Sequence, residues 1–241
     1  MLKIDLHCHT ADDPVDRIPH TTCELIDRAA ALGYQGLAIT LHDRQLDIRP
    51  LAGYAAARGI TLIPGIERTI EGRHVLLLNF THASEAVTTF EALARLRERE
   101  RGLVVAPHPF YPIGTGLGPD LERHPELFDA VEENAMFTAA LDFNRKARRW
   151  ARARGTPMVG NGDVHRLQQL GTTYSLVAAE PDPGAICEAI RQGHVEVRSQ
   201  PLSWPTAVSI MGAMLAADLS GRLRPAARVD AVPTGPAVPR D

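Results

Sequence analysis

The chain has 241 residues, 44% of them hydrophobic, which is enough to bury the core of one large α/β domain. Lys and Arg number 26 against 29 Asp and Glu, and the resulting net charge of -3 exerts no general pull on nucleic acid or an anionic membrane. Three cysteines at unrelated spacings form neither a disulfide framework nor a CxxC zinc site, and no apolar stretch reaches the roughly 18 to 20 residues of a membrane span. A cytoplasmic protein with reduced thiols is expected.

Short apolar runs of strand type lie at 2–7, 36–40, 61–67, 73–80, 103–107, 129–132, 157–161 and 173–177. Helical patterns at 22–32, 51–58, 84–101, 138–154 and 183–192 alternate with them. Thr21 or Thr22 is the natural cap of the first helix, and Gly33, Gly59, Gly102, Gly155 and Gly193 follow the five helices as left-handed C-caps would. Repeated βα units argue for a parallel sheet, and their number suits a β/α barrel, whose functional residues gather at the C-terminal ends of the strands. Residues 1–200 form this barrel domain. Residues 201–223 follow as a packing helix, with Ile210, Met211, Met214 and Leu215 available to the barrel or to a second subunit of a homo-oligomer. Residues 224–241, rich in Pro and Ala without periodicity, are expected to be a disordered tail.

The chemistry-bearing residues fall at the edges of these strands. His7 and His9 are two apart at the end of the first run, so strand alternation sends both side chains to one face while Cys8 turns away. His42, His74, His108 and the pair Asp163 and His165 have similar settings, whereas His82, His124 and His194 do not. Glu67 closes the run Leu62-Ile63-Pro64-Gly65-Ile66, where a buried carboxylate is expensive unless a cation compensates it.

In order, the chain carries Asp5-Leu6-His7-Cys8-His9-Thr10, Thr40-Leu41-His42-Asp43, Pro64-Gly65-Ile66-Glu67, His108-Pro109 and Gly162-Asp163-Val164-His165. From residue 2 to about 179 it resembles the PHP (polymerase and histidinol phosphatase) family, marked by DLHxHT, TDH, PGxE, HP and GxDxH. The resemblance implies a distorted (β/α)7 barrel with two or three metal ions at the C-terminal ends of its strands, most often serving phosphoester hydrolysis. Carried over, a first ion takes His7, His9, Glu67 and Asp163, and a second shares Glu67 with His74 and His108. A third uses His42, His165 and a loop residue, Asp13 ahead of Asp12 or His20. Imidazole and carboxylate ligands suit zinc, manganese or iron. Leu41 stands where the family has Asp; alternation turns it away from His42, so it is expected to pack.

Two cations sharing Glu67 would acidify a water between them into a hydroxide nucleophile for phosphorus. Glu67, Asp163, His42 and His165 are the expected catalytic residues, and Arg44, Arg68 and Arg166 are candidates for phosphate contacts. The expected substrate is a small phosphoester, with a monoester favoured over a diester and over long nucleic acid; no membrane partner is expected. Two other readings remain: a noncatalytic, metal-stabilised binding or scaffold module, favoured by Leu41, and hydrolysis of a C-N or C-O bond at carbon. Arg145, Arg148, Arg149 and Arg152 make a basic helical face, which a barrel would place on its outer ring. Glu132 and Asn134 could line or support the site, and the glycine-rich run 113–118 is expected to be a mobile loop over it.

Overall fold

The computed structural model describes the backbone of residues 1–221 and the side chains of residues 1–212. Among these, nine strands form one sheet: β1 (Leu2–Cys8), β2 (Gly36–Ile39), β3 (Thr61–Ile70), β4 (Arg73–Leu78), β5 (Leu103–Ala106), β6 (Ala130–Asn134), β7 (Met158–Asn161), β8 (Thr173–Val177) and β9 (Val195–Ser199). Their order is β7-β6-β5-β4-β3-β2-β1-β8-β9, and β7 lies against β8 and β9, so the sheet curls into a nearly closed barrel. At the seam, Gly160 of β7 has no room for a side chain: a Cβ there would stand 2.7 Å from the Tyr174 carbonyl oxygen and 2.9 Å from Val197. Ser175 Oγ fills the gap by accepting from Gly160 N and donating to Gly160 O.

The helices are α1 (Thr22–Ala31), α2 (Ala52–Ala56), α3 (Phe90–Arg99), α4 (Pro119–Arg123), α5 (Asn144–Arg154), α6 (Pro183–Arg191) and α7 (Trp204–Gly221). Thr21 caps α1 in a capping box with Glu24, so two of the helix's otherwise unmatched amides are satisfied. Gly33, Gly59, Gly155 and Gly193 have positive φ, as expected of residues that end helices. Gly102 does not, and its reason is contact: a Cβ there would meet the Phe80 ring at 2.3 Å.

The sheet is mixed, where repeated βα units predict a parallel one. β1–β2–β3 and β5–β6–β7 are parallel, but β4 is antiparallel to both β3 and β5, and β8 is antiparallel to β1 and β9. Only Glu71 and Gly72, both with positive φ, separate β3 from β4; a two-residue link makes a hairpin, since a parallel return needs a crossover of a dozen residues. β3 consequently runs on to Ile70, and Glu67 lies inside it rather than at its end. The helix expected over 138–154 starts only at Asn144, whose side-chain amide exchanges two hydrogen bonds with the Asn134 backbone. In α7, Ile210 is buried while Trp204, Val208 and Met211 are exposed; Met214, Leu215 and the expected tail at 224–241 lie outside the described side chains. Among the described residues, no helix is long and apolar enough to cross a membrane.

Candidate metal centre

The motif residues meet at one end of the barrel because β1, β2, β3 and the turn after β7 are laced together there. Val164 N donates to His7 O and His9 N donates to Val164 O, carrying the Gly162–His165 turn onto the end of β1. Asp5, fully buried, accepts from His7 N and from Gly162 N, while Asn161 Oδ1 accepts from Leu6 N. Burial is the main cause that raises Asp5 to about 7, against the pull of these two amides. His42 bridges to Glu67 as a parallel extension of β2 and β3.

Glu67 is the hub. Its Oε2 stands 3.3 Å from His7 Nε2, 3.3 Å from His9 Nε2 and 3.1 Å from His42 Nε2. Its Oε1 stands 2.8 Å from His74 Nδ1 and 3.2 Å from His108 Nε2. Asp163 Oδ1 lies 3.4 Å from His7 Nε2, 3.7 Å from His9 Nε2 and 3.3 Å from His165 Nδ1. Glu67 is 1% exposed, so its charge cannot be left to water. Burial opposes charge here, yet Asp163 and Glu67 hold His7 well above the usual imidazole range, while His7 and His74 hold Glu67 well below the carboxylate range.

Cations fit this donor set. The buried Nε2 atoms of His7 and His9 have no hydrogen-bond partner among the described residues, although both point at carboxylate oxygens. Buried ring nitrogens are rarely left so. Four overlapping triads bring one ligand atom per residue within 4.8 Å of one another: His7, His9 and Glu67; His7, His108 and Asp163; His42, Glu67 and His74; and His9, His42 and His165. His74 and His108 both face Oε1 of Glu67, and the triads also set His74 beside His42 and His108 beside His7 and Asp163. His108 and Asp163 have φ of 27° and 48°, a region few side chains tolerate, so the backbone is held in strained form where ligands are presented. Gln169 holds one of these turns, donating to the Gly162 and Asp163 carbonyls and accepting from His165 N and Arg166 N.

The loop after His9 separates its candidates. Asp13 Oδ2 lies 2.9 Å from His9 Nδ1 and 3.0 Å from His42 Nδ1, Asp12 is taken up by Thr10 and Thr22, and His20 Nε2 faces the His9 carbonyl. Asp16, which no motif marks, is 2.9 Å from His165 Nε2. Against burial, Asp13 and Glu67 bring His42 up to about 9, and Asp16 and Asp163 bring His165 up to about 10.

Leu41 is fully buried among Leu25, Ile39 and Leu51, as its alternation predicts. Arg44 is exposed at the rim. Arg68 donates to Asp43 and to the Val87 carbonyl, which makes it a brace for the strand ends. Arg166 follows His165 beside the same turn. The loop 113–118 is tied to β4, with Gly114 O accepting from Arg73 and Thr115 O from His74 N. Of the basic residues on α5, Arg148 pairs with Glu133 and Asp142, and Arg154 with Glu122.

A family model described as PHP-associated matches residues 142–195. A 3',5'-nucleoside bisphosphate phosphatase from Chromobacterium violaceum is 40% identical over 79 residues, which span 32% of this chain and 26% of that protein. Among solved structures, a two-domain protein from Bacteroides vulgatus containing a predicted PHP-like metal-dependent phosphoesterase is similar with a TM-score of 0.63 at 17% identity, covering 88% of this chain and 69% of that one. A lesion-specific endonuclease from Pyrococcus furiosus matches with a TM-score of 0.58 at 16% identity, over 87% of this chain and 66% of that one. The ordered motifs converge on one buried cluster, the barrel that carries them is similar in fold to a structure containing a PHP-like protein, and residues 142–195 match the PHP-associated model.

Proposed function

We propose that the chain is a metal-dependent phosphoesterase acting on a small phosphorylated compound, with a phosphomonoester favoured over a diester. The observation that carries this reading is the division of Glu67: three imidazoles face one oxygen and two face the other, the arrangement two cations sharing a carboxylate require. His7, His9, His42, His74, His108, His165, Glu67 and Asp163 would hold divalent zinc, manganese or iron, with Asp16 beside His165, while Asp13, the expected loop ligand, has its oxygens taken up by His9, His42 and the Val15 and Asp16 amides. Bound there, such ions supply a nucleophile from water at neutral pH and neutralise phosphate charge.

The chain's own groups do the rest. Asp13 orients His9 and His42 through their Nδ1 atoms, and Asp163 Oδ1 faces His7 Nε2 and His165 Nδ1. Arg44 and Arg166 are the rim groups that would meet phosphate oxygens. Arg68 is already committed to Asp43, so it is not assigned that role. Leu41, the departure that favoured a noncatalytic module, lies in the apolar core and leaves the cluster intact. The stretch shared with the nucleoside bisphosphate phosphatase supports a phosphorylated nucleoside among candidate monoesters. Pairing of Arg148 and Arg154 with carboxylates leaves α5 a weaker track for a polyanion and supports a small substrate.

The test is phosphate release by the manganese- or zinc-reconstituted protein from a nucleoside 3',5'-bisphosphate, a mononucleotide, an activated diester and an oligonucleotide. Release from a monoester at least about tenfold faster than diester cleavage is expected. Faster cutting of the oligonucleotide than of every monoester, or no phosphate release at all, would overturn the reading.

A further inference from the structure

Glu132 lies in β6 with no exposure to solvent. Its Oε1 accepts from His7 Nδ1 at 2.9 Å and from Asn161 Nδ2 at 2.9 Å, and its Oε2 accepts from His108 N at 2.6 Å and from Asn134 Nδ2 at 3.2 Å. Four donors occupy the lone pairs of the two oxygens, so the carboxylate has no capacity left to bind a cation itself. Its partners belong to different sides of the cluster. An ionised carboxylate can only accept, so His7 must carry a proton on Nδ1, and Nε2 is left to face Glu67 Oε2 and Asp163 Oδ1. On the other oxygen, the bond to His108 N fastens a backbone whose φ is 27°, and from that backbone the imidazole reaches Oε1 of Glu67.

We propose that Glu132 is a positioning residue that couples the two halves of the centre, presenting His7 to the cation on Glu67 Oε2 and His108 to the cation on Oε1. The inference rests on reading the cluster as a divalent-cation centre. Glu132→Gln keeps the shape but replaces one acceptor with a donor. The amide must then confront either the donors of His7 and Asn161 or those of His108 and Asn134. In the first case His7 is driven to place its proton on Nε2, where a cation would bind; in the second the bond that fastens His108 is lost.

The experiment is titration of manganese and of zinc, against a competing chelator, into the metal-free full chain and its Glu132→Gln and Glu132→Ala variants, with far-UV circular dichroism confirming the fold. Glu132→Gln is expected to weaken the ion on the side its amide faces by roughly 10- to 100-fold, the usual effect of losing a partner that orients a ligand, and Glu132→Ala, which removes both acceptors, to weaken both ions, with excess metal restoring the full stoichiometry. Unchanged affinities in both variants overturn the proposal, and so does a Glu132→Ala loss confined to one ion. Should the variants not fold, nitrogen-15 NMR of the zinc-loaded wild-type decides: a slowly exchanging proton on His7 Nδ1 is expected, and zinc bound at Nδ1 overturns the idea. A wild-type chain that binds no ion overturns the underlying reading as well. A wild-type chain that binds two ions beside two unimpaired variants overturns the coupling alone.

Discussion

At the scale of single residues, Leu41 shows how one position can look functional and be structural. The family pattern has an acid there, yet this side chain is fully buried in an apolar cluster. Leu41→Asp would therefore bury an unpaired carboxylate and is expected to cost about 3 kcal/mol or more, lowering the melting temperature without improving turnover. Leu41→Met should cost less than about 1.5 kcal/mol. A Leu41→Asp protein as stable as the parent would show that the side chain does not pack as described. The imidazoles give a second expectation. His42 and His165 are raised from 6.5 to about 9 and about 10 in the metal-free protein, so the stability they contribute is complete below 6.5 and is lost as pH rises through 9 to 10. Melting of the metal-free chain should thus fall between pH 7 and 10, whereas the loaded chain, whose imidazoles are already deprotonated, should change little; parallel curves would contradict this. His7, His9, Glu67, Asp163 and His165 were legible in the sequence because motif spacing and strand alternation mark them. Asp16 was not, and Glu132 was legible only as able to line or support the site, without its partners: Asp16 reaches His165 across 149 residues and Glu132 reaches His7 across 125, and no local pattern encodes such partnerships.

At the scale of elements, the cluster depends on strands being brought closer than side chains usually allow. Gly160 is the clearest case, since the carbonyl it approaches is backbone and cannot rotate away. Gly160→Ala is expected to destabilise the chain by about 1 to 3 kcal/mol, measured by denaturant unfolding, because the β7–β8 seam must open. No loss would mean that the seam is looser than the contact distance implies. Most strands could be located from apolar runs alone, but their directions could not. The β3–β4 hairpin was hidden by reading Glu67 as a strand end, although Glu71-Gly72 is a turn pair. β9 alternates Val195 and Val197 with Glu196 and Arg198, a period-two pattern on a half-exposed strand that lacks the continuous apolar run of the buried strands.

At the scale of the whole molecule, a net charge of -3 exerts no general pull on a polyanion, so under the proposed function phosphate would be drawn by the cations the centre holds. Monoester hydrolysis should accordingly depend weakly on ionic strength, unlike binding that neutralises many phosphates along a strand. Kinetics across a salt series check this, and a steep fall in kcat/KM would favour a polyanionic substrate. The catalytic expectations hang on Glu67 sharing two cations. The most direct measurement is elemental analysis of the reconstituted wild-type chain beside its Glu67→Ala variant. At least two divalent ions per wild-type chain, with at least two lost together in Glu67→Ala, is the predicted result; one ion or fewer in the wild-type chain, or the loss of a single ion in the variant, would contradict it.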